Sequence, residues 1–237
     1  SRALGDAVDV GKLRHNPATA AKPPSLKAAQ RPPMQIWTPD ELGAFLTAEA
    51  DTRHGPAWSF LGYTGCRRGE AVGLLWEDVD LDAGRVSLRR SITVVDGQVH
   101  EAETVKTSRS RRSISLQRDL VATLRGWRAR QAEDRLLMGA GYADGGYVFT
   151  QADGRPHHHF SRAFDRAVER HDDLRRIRLH DLRHSHASHL LAAGVPAKAV
   201  ADRLGHASAA FAMDTYAHLM PAQEADYAEA AADLIAG

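Results

Sequence analysis

Between residues 84 and 116 the apolar residues abandon helical spacing and fall into three short β-branched stretches, GRVSLRRSITVV, QVHEAETV and RRSISL. Asp96-Gly97, between the first two, is the dipeptide that a tight two-residue hairpin prefers, because both central positions need positive φ. We therefore expect a small three-stranded antiparallel sheet. Helix signals stand on both sides of it. In TPDELGAFLTAEA, Thr38 is an N-cap, Pro39 fills the first helical position and Glu41 stands three residues from the cap. AWSFLGYTG is an apolar helix ended by Gly65, and RRGEAVGLLWEDVDL resumes with Ala71, Leu74 and Leu75, so two helices flank a tight Thr-Gly turn. Beyond Leu120 the chain returns to helices, one spanning about Asp181 to Ala193 and closed by Gly194, another beginning at Pro196 and closed by Gly205. The fold class expected is α+β, mainly α-helical, with Trp37, Trp58, Trp76 and Trp127 in the core or an interface.

The stretch NPATAAKPPSLKAAQRPP has no apolar periodicity and reads as a linker, so residues 1–36 are expected to hold the end of a preceding domain plus that linker. No run approaches the eighteen apolar residues of a membrane span, and a cytoplasmic protein is the expectation. A single cysteine, Cys66, excludes an intramolecular disulfide and any zinc site built on several cysteines; we expect it to be a small core residue. The formal net charge of +1 hides local clusters. VKTSRSRR carries Lys106, Arg109, Arg111 and Arg112 without an acid, and DLRRIRLHDLRHSH adds Arg175, Arg176, Arg178 and Arg183. Such clusters suit the phosphate backbone of nucleic acid or, equally, a solvated face.

Chemistry concentrates in LHDLRHSHASHLL, residues 179–191. On a helix His180, Arg183 and His184 share one side while Leu182, Leu190 and Leu191 bury the other. A proton carrier beside a fixed cation fits phosphoryl transfer. Taken alone, the stretch also fits a capping His180 and an Arg183 in a surface ion pair. It does not make a zinc site of the H-E-x-x-H kind, since Arg183 would set a positive charge beside the metal.

Other motifs follow in a fixed order. TGCRRGE sets Arg67 after a turn with Glu70 one helical turn on, VKT sets Lys106 near a strand end, and LGHASAAFAMDTYAHL carries His206 and Tyr216. As a set, across residues 38 to 221, these motifs resemble the tyrosine recombinase (phage integrase) family. The resemblance implies that family's catalytic-domain fold over residues 37–221, preceded by the end of an N-terminal core-binding domain. It implies a site-specific recombinase or integrase that cuts and rejoins double-stranded DNA through a 3′-phosphotyrosine, with no metal or cofactor. Tyr216 would attack the scissile phosphate, Arg67 and Arg183 would hold its non-bridging oxygens, and His206 would hydrogen-bond to it. His180 would exchange a proton with the tyrosine, and Lys106 would protonate the leaving 5′-oxygen. Glu70 would orient Arg67 and His184 would support the site, while Arg109, Arg111, Arg112 and Arg178 would contact DNA. At Lys106 an alternative stays open, a surface role with Arg109 or Arg111 nearer the DNA.

Residues 222–237 read as an acidic, amphipathic tail helix; the resemblance implies that it docks on a neighbouring protomer, giving a tetramer on DNA from a free monomer, with docking on its own domain as the alternative. DNA-bending or directionality proteins are further expected partners, and no membrane is. Three rivals remain: a type IB topoisomerase, an inactive DNA-binding module, and a metal phosphodiesterase using the histidines.

Overall fold

The computed structural model of the chain describes residues 2–19, 35–95, 98–101, 111–157 and 159–205. Residues 1–34 and 35–237 are separate units. The first holds helix α1 (Arg2–Asp9), none of whose residues is buried, and a 3-10 turn at Pro17–Thr19. The second holds α2 (Pro39–Ala48), α3 (Gly55–Thr64) and α4 (Arg68–Val72), then β1 (Val79–Asp80), β2 (Arg85–Leu88), β3 (Ile92–Val95), β4 (Gln98–Glu101) and β5 (Arg112–Ser115). Helices α5 (Arg118–Met138), α6 (Phe160–Val168), α7 (Asp181–Ala192) and α8 (Ala197–Leu204) complete it. Among the described residues no helix is long and apolar enough to cross a membrane.

The helix boundaries follow from local chemistry. Glu41 N donates to Thr38 Oγ1 at 3.2 Å and Thr38 N donates to Glu41 Oε2 at 2.7 Å, the reciprocal capping box that the spacing predicts. Helix α3 is apolar on every side, which suits only a central position; it packs against α2, α4, α5 and α7. Helix α6 buries Phe160, Ala163, Phe164, Ala167 and Val168, one helical face. Trp37, Phe45, Trp58 and Phe164 interlock beneath these helices, with ring centroids 4.8 Å apart for Trp37–Phe45 and 5.3 Å for Trp58–Phe164. Trp37 also positions α7: its backbone N–H donates to Ser185 Oγ at 3.0 Å, and its carbonyl accepts from His189 Nε2 at 2.9 Å.

The sheet differs in detail from the expectation. Three antiparallel strands are present in the order β1-β2-β5, with Val79 opposite Val86 and Val86 opposite Ile114, all on the buried face. Strands β3 and β4 form a second antiparallel pair, Val95 opposite Gln98, across the two residues of the turn signal. The first of the expected stretches, residues 84–95, divides into β2 and β3 at Arg89-Arg90. These side chains pair with Asp78 (Arg89 Nε, 3.4 Å) and Glu77 (Arg90 Nη2, 3.0 Å), which draws the chain out of the ladder after Leu88. Helix α4 likewise stops at Val72, leaving Leu74 and Leu75 beyond it.

A buried carboxylate ties α2 to the segment after α6. Glu49, at the C-cap of α2, accepts from Arg170 Nη2 at 2.7 Å and from His171 Nε2 at 2.9 Å. Burial on its own would raise its pKa; the hydrogen bonds from His171 and Arg170 outweigh that and hold it below the ordinary carboxylate value. A depressed folded-state pKa means a contribution to stability that is present above the unfolded-state pKa and lost as pH falls through the folded one. We expect Glu49→Gln to cost about 2 kcal/mol at neutral pH, the scale of hydrogen bonds to a charged group. The deficit should shrink as the pH is lowered through and below the ordinary carboxylate range. Denaturant melts of both proteins across that range test it, and a deficit independent of pH would count against the charge as its source.

Candidate active site

The last carbonyls of a helix lack partners within it and mark the negative end of its dipole. At the end of α8, arginines from three other elements take three successive carbonyls. Arg112 Nε, from the start of β5, donates to Arg203 O at 2.6 Å; Arg183 Nη2, from the first turn of α7, to Leu204 O at 2.8 Å; and Arg67 Nη2, at the N-cap of α4, to Gly205 O at 2.9 Å. Arg183 Nη1 also donates to Gly65 O at 2.8 Å, so one planar guanidinium joins the ends of α3 and α8. Both helix ends depend on glycine. Gly65 has φ +62 and a Cβ there would lie 2.6 Å from His186 Cδ2; Gly205 has φ +70 and a Cβ there would lie 2.9 Å from Arg112 Nη1.

Glu70 organises the charge. Its carboxylate accepts from Arg67 N at 2.7 Å, from Arg67 Nη1 at 3.0 Å, and from both Nη atoms of Arg112 at 2.8 Å each. Burial would raise its pKa, but the Arg112 fork and the Arg67 backbone N–H bring it below the ordinary value. Arg183 is 3% exposed, and among the described residues no carboxylate pairs with it. Burial first, then the charge of Arg67, push its pKa down to about 10, so it stays charged at neutrality. Among the described residues these three guanidiniums share one carboxylate, a net charge of two positive. Chemically, such a cluster suits an anion with several oxygens.

The histidines around it are kept neutral. His180 occupies the N-cap of α7 without making a side-chain capping bond, which removes the capping alternative. Desolvation, then the charge of Arg183, lower its pKa. The ring of His184 meets that of His180 edge-on with centroids 4.9 Å apart; burial and then the neighbouring His180 push its pKa down to about 4. His186, pushed down to about 3 by burial and then by Arg203, accepts from Arg203 Nε at 3.2 Å. Cys66 is buried among these groups, and burial pushes its thiol up to about 12, so it is no nucleophile.

Of the sequence-derived candidates, the structure thus brings together Arg67, Glu70, His180, Arg183 and His184. Arg183 is enclosed in the core, not in a surface ion pair. Lys106, Arg109, His206 and Tyr216 lie outside the described residues. Arg111 is exposed. Arg178 is exposed, but its guanidinium and backbone N–H hold Asp181, with Nη2 at 2.8 Å from Oδ1. Arg112, expected to contact DNA, is turned inward among the described residues. Its side chain is 8% exposed because Glu70 and the Arg203 carbonyl absorb its donors. A cavity of about 750 Å³ lies apart, between β1, β2 and α5, and none of its lining residues belongs to the cluster. Among the described residues no three histidine, cysteine, aspartate or glutamate side chains are grouped to hold a metal ion.

Residues 37–223 match the phage integrase family. The ICEBs1 integrase of Bacillus subtilis is 30% identical over 99% of this chain and 63% of its own length. A tyrosine recombinase XerC-like protein of Caldanaerobacter subterraneus subsp. tengcongensis is 28% identical over 96% and 62%. The chain thus spans somewhat under two thirds of the curated relatives it matches. Among solved structures, the Tn1549 transposon integrase in complex with transposon right end DNA superposes with a TM-score of 0.73 at 22% identity, covering all of this chain and 76% of that one. XerA recombinase does so at 0.60 and 22%, covering 84% and 65%. These likenesses show the fold, that of a tyrosine recombinase catalytic domain.

Proposed function

Because the chain belongs to the phage integrase family across residues 37–223, we propose that it is the catalytic part of a site-specific recombinase that cuts and rejoins double-stranded DNA through a 3′-phosphotyrosine at Tyr216. The observation that carries this reading is the convergence of Arg67 and Arg183 on the end of α8, immediately before His206 in the chain, in a cluster whose described arginines outnumber its one carboxylate. A phosphodiester passing through a five-coordinate transition state gathers negative charge on its non-bridging oxygens, and fixed guanidiniums stabilise that charge without reorganising. The Arg67 side chain is 41% exposed, and among the described residues its Nε makes no hydrogen bond, which leaves a donor for an incoming oxygen.

In this reading the Tyr216 hydroxyl oxygen attacks phosphorus as its proton passes to neutral His180, and the bond to the 5′-oxygen breaks. His206 hydrogen-bonds to the phosphate and Lys106 delivers a proton to the departing 5′-oxygen, which would otherwise leave as a strongly basic alkoxide. One phosphoester replaces another, so a 5′-hydroxyl from a second duplex reverses the step and joins the strands with no external energy source. The cationic roles fall to side chains, and the reaction needs no metal or nucleotide. The partners are duplex DNA bearing a recombination site and further copies of the chain, assembling as a tetramer through residues 222–237. DNA-bending or directionality proteins act alongside, in the cytoplasm. Residues 1–36 then serve as the end of an N-terminal core-binding domain and its linker.

The test is covalent trapping. The chain is offered a nicked duplex of the sequence it selects from a randomised pool, in EDTA, and the products are resolved on a denaturing gel. A protein-DNA adduct lost in Tyr216→Phe is the expected result. No adduct and no cut strand from either protein would leave DNA binding without catalysis, and strand cleavage without an adduct that appears only with a divalent cation would favour a metal phosphodiesterase.

A further inference from the structure

We infer that Arg112 is a positioning residue for the strand cleavage proposed above, aiming Arg67 through Glu70 and fixing the end of α8 through the Arg203 carbonyl. The inference rests on that reading of the site. Arg112 contributes three donors in two directions. Its two Nη atoms grip both oxygens of Glu70, at 2.8 Å each, and the remaining face of the same carboxylate holds Arg67 by its backbone N–H and by Nη1. Its Nε reaches the Arg203 carbonyl at 2.6 Å. One planar group therefore fixes the orientation of the carboxylate that aims Arg67 and the position of the carbonyl two residues before Gly205, to which Arg67 also bonds.

The arrangement suits guanidinium alone. A fork that is bidentate on one carboxylate while a third donor meets a carbonyl at a fixed angle needs a rigid plane, and a lysine ammonium can supply the charge but not the plane. Gly205 is shaped around the same group, since any Cβ there would press on Arg112 Nη1 at 2.9 Å. With a side chain 8% exposed and its donors engaged, Arg112 is not offered to DNA, so its contribution passes through Arg67 and α8. It also opens β5, a few residues after Lys106 in the sequence.

The experiment compares wild-type chain, Arg112→Lys, Arg112→Gln, Glu70→Gln and the Arg112→Gln/Glu70→Gln double variant on the selected nicked duplex. Affinity is read by gel shift, single-turnover cleavage at saturating DNA by the adduct, and folding by thermal melts. We expect both Arg112 variants to bind DNA within about twofold of wild type yet cleave it on the order of 100-fold more slowly, the scale set by a misplacement of about 1 Å. Lysine should not rescue. The double variant should be no slower than the slower of its single parents, because both substitutions break the same link. Cleavage at the wild-type rate by either Arg112 variant, a loss confined to affinity, or additive losses would overturn the inference. So would the absence of a cooperative melt in both Arg112 variants, which would make the residue structural. If the wild-type chain forms no adduct, the cleavage reading itself fails and the inference with it; an adduct unaffected by Arg112 substitution overturns the inference alone.

Discussion

Arg183→Lys should cut strand cleavage by about a thousandfold at saturating DNA, the scale seen when a preorganised donor to a developing oxyanion or an arginine acting on a transferring phosphoryl group is removed. The charge survives the substitution; the geometry does not. Nη1 and Nη2 reach Gly65 O and Leu204 O, each at 2.8 Å, on two different helix ends, a span that one ammonium cannot cover with the same direction. Loss of either bond leaves a carbonyl at a helix end in a dry environment without its donor, at about 1 to 3 kcal/mol. The variant should therefore melt earlier as well as cleave slowly. Single-turnover rates measured well below its melting temperature separate the two effects. A rate within tenfold of wild type there would mean that Arg183 acts as a scaffold for α3 and α8, with the phosphate held elsewhere.

Lys106→Ala is expected to slow cleavage of ordinary DNA by roughly 10² to 10⁴, the range for losing a general acid. On a duplex whose scissile 5′-oxygen is replaced by sulfur, the same variant should cleave at close to the wild-type rate. A thiolate is a far weaker base than an alkoxide and departs without a proton, so the acid has nothing left to do. The comparison of the two substrates, not the absolute loss on either, carries the assignment. Equal losses on both would remove the acid role from Lys106 and leave Arg109 and Arg111 as the groups to test in its place.

What the sequence could disclose divides along a physical line. The capping box at Thr38, the glycine ends of α3 and α8, the helical spacing of His180 and Arg183, and the short span from Arg67 to Glu70 are local relations written in side-chain types, and they were legible. Core membership of the tryptophans followed from apolar context, although Trp76 is only partly buried. The inward turn of Arg112 was not legible. A run of basic residues looks the same whether it faces solvent or folds back, and its partner Glu70 lies 42 residues away. Nor could the sequence disclose that Arg203, Leu204 and Gly205 present the anchoring carbonyls, because every residue carries the same carbonyl and only the fold decides which are left without a donor. The division of the strands escaped for a similar reason. Arg89 and Arg90 look like ordinary strand positions until Glu77 and Asp78 are brought beside them.

The cations meet through the far end of the chain. Arg67 reaches a carbonyl 138 residues ahead of it, Arg183 spans back 118 residues to Gly65, and Arg112 reaches forward 91 to Arg203. Contacts so distant in sequence form only after the intervening chain has closed on itself. A chain still emerging from the ribosome, or one cut short before residue 203, carries the arginines but not the carbonyls that aim them. If the chain cleaves DNA as proposed, a product that stops before α8 is expected to leave DNA uncut, because its arginines lack the carbonyls that aim them.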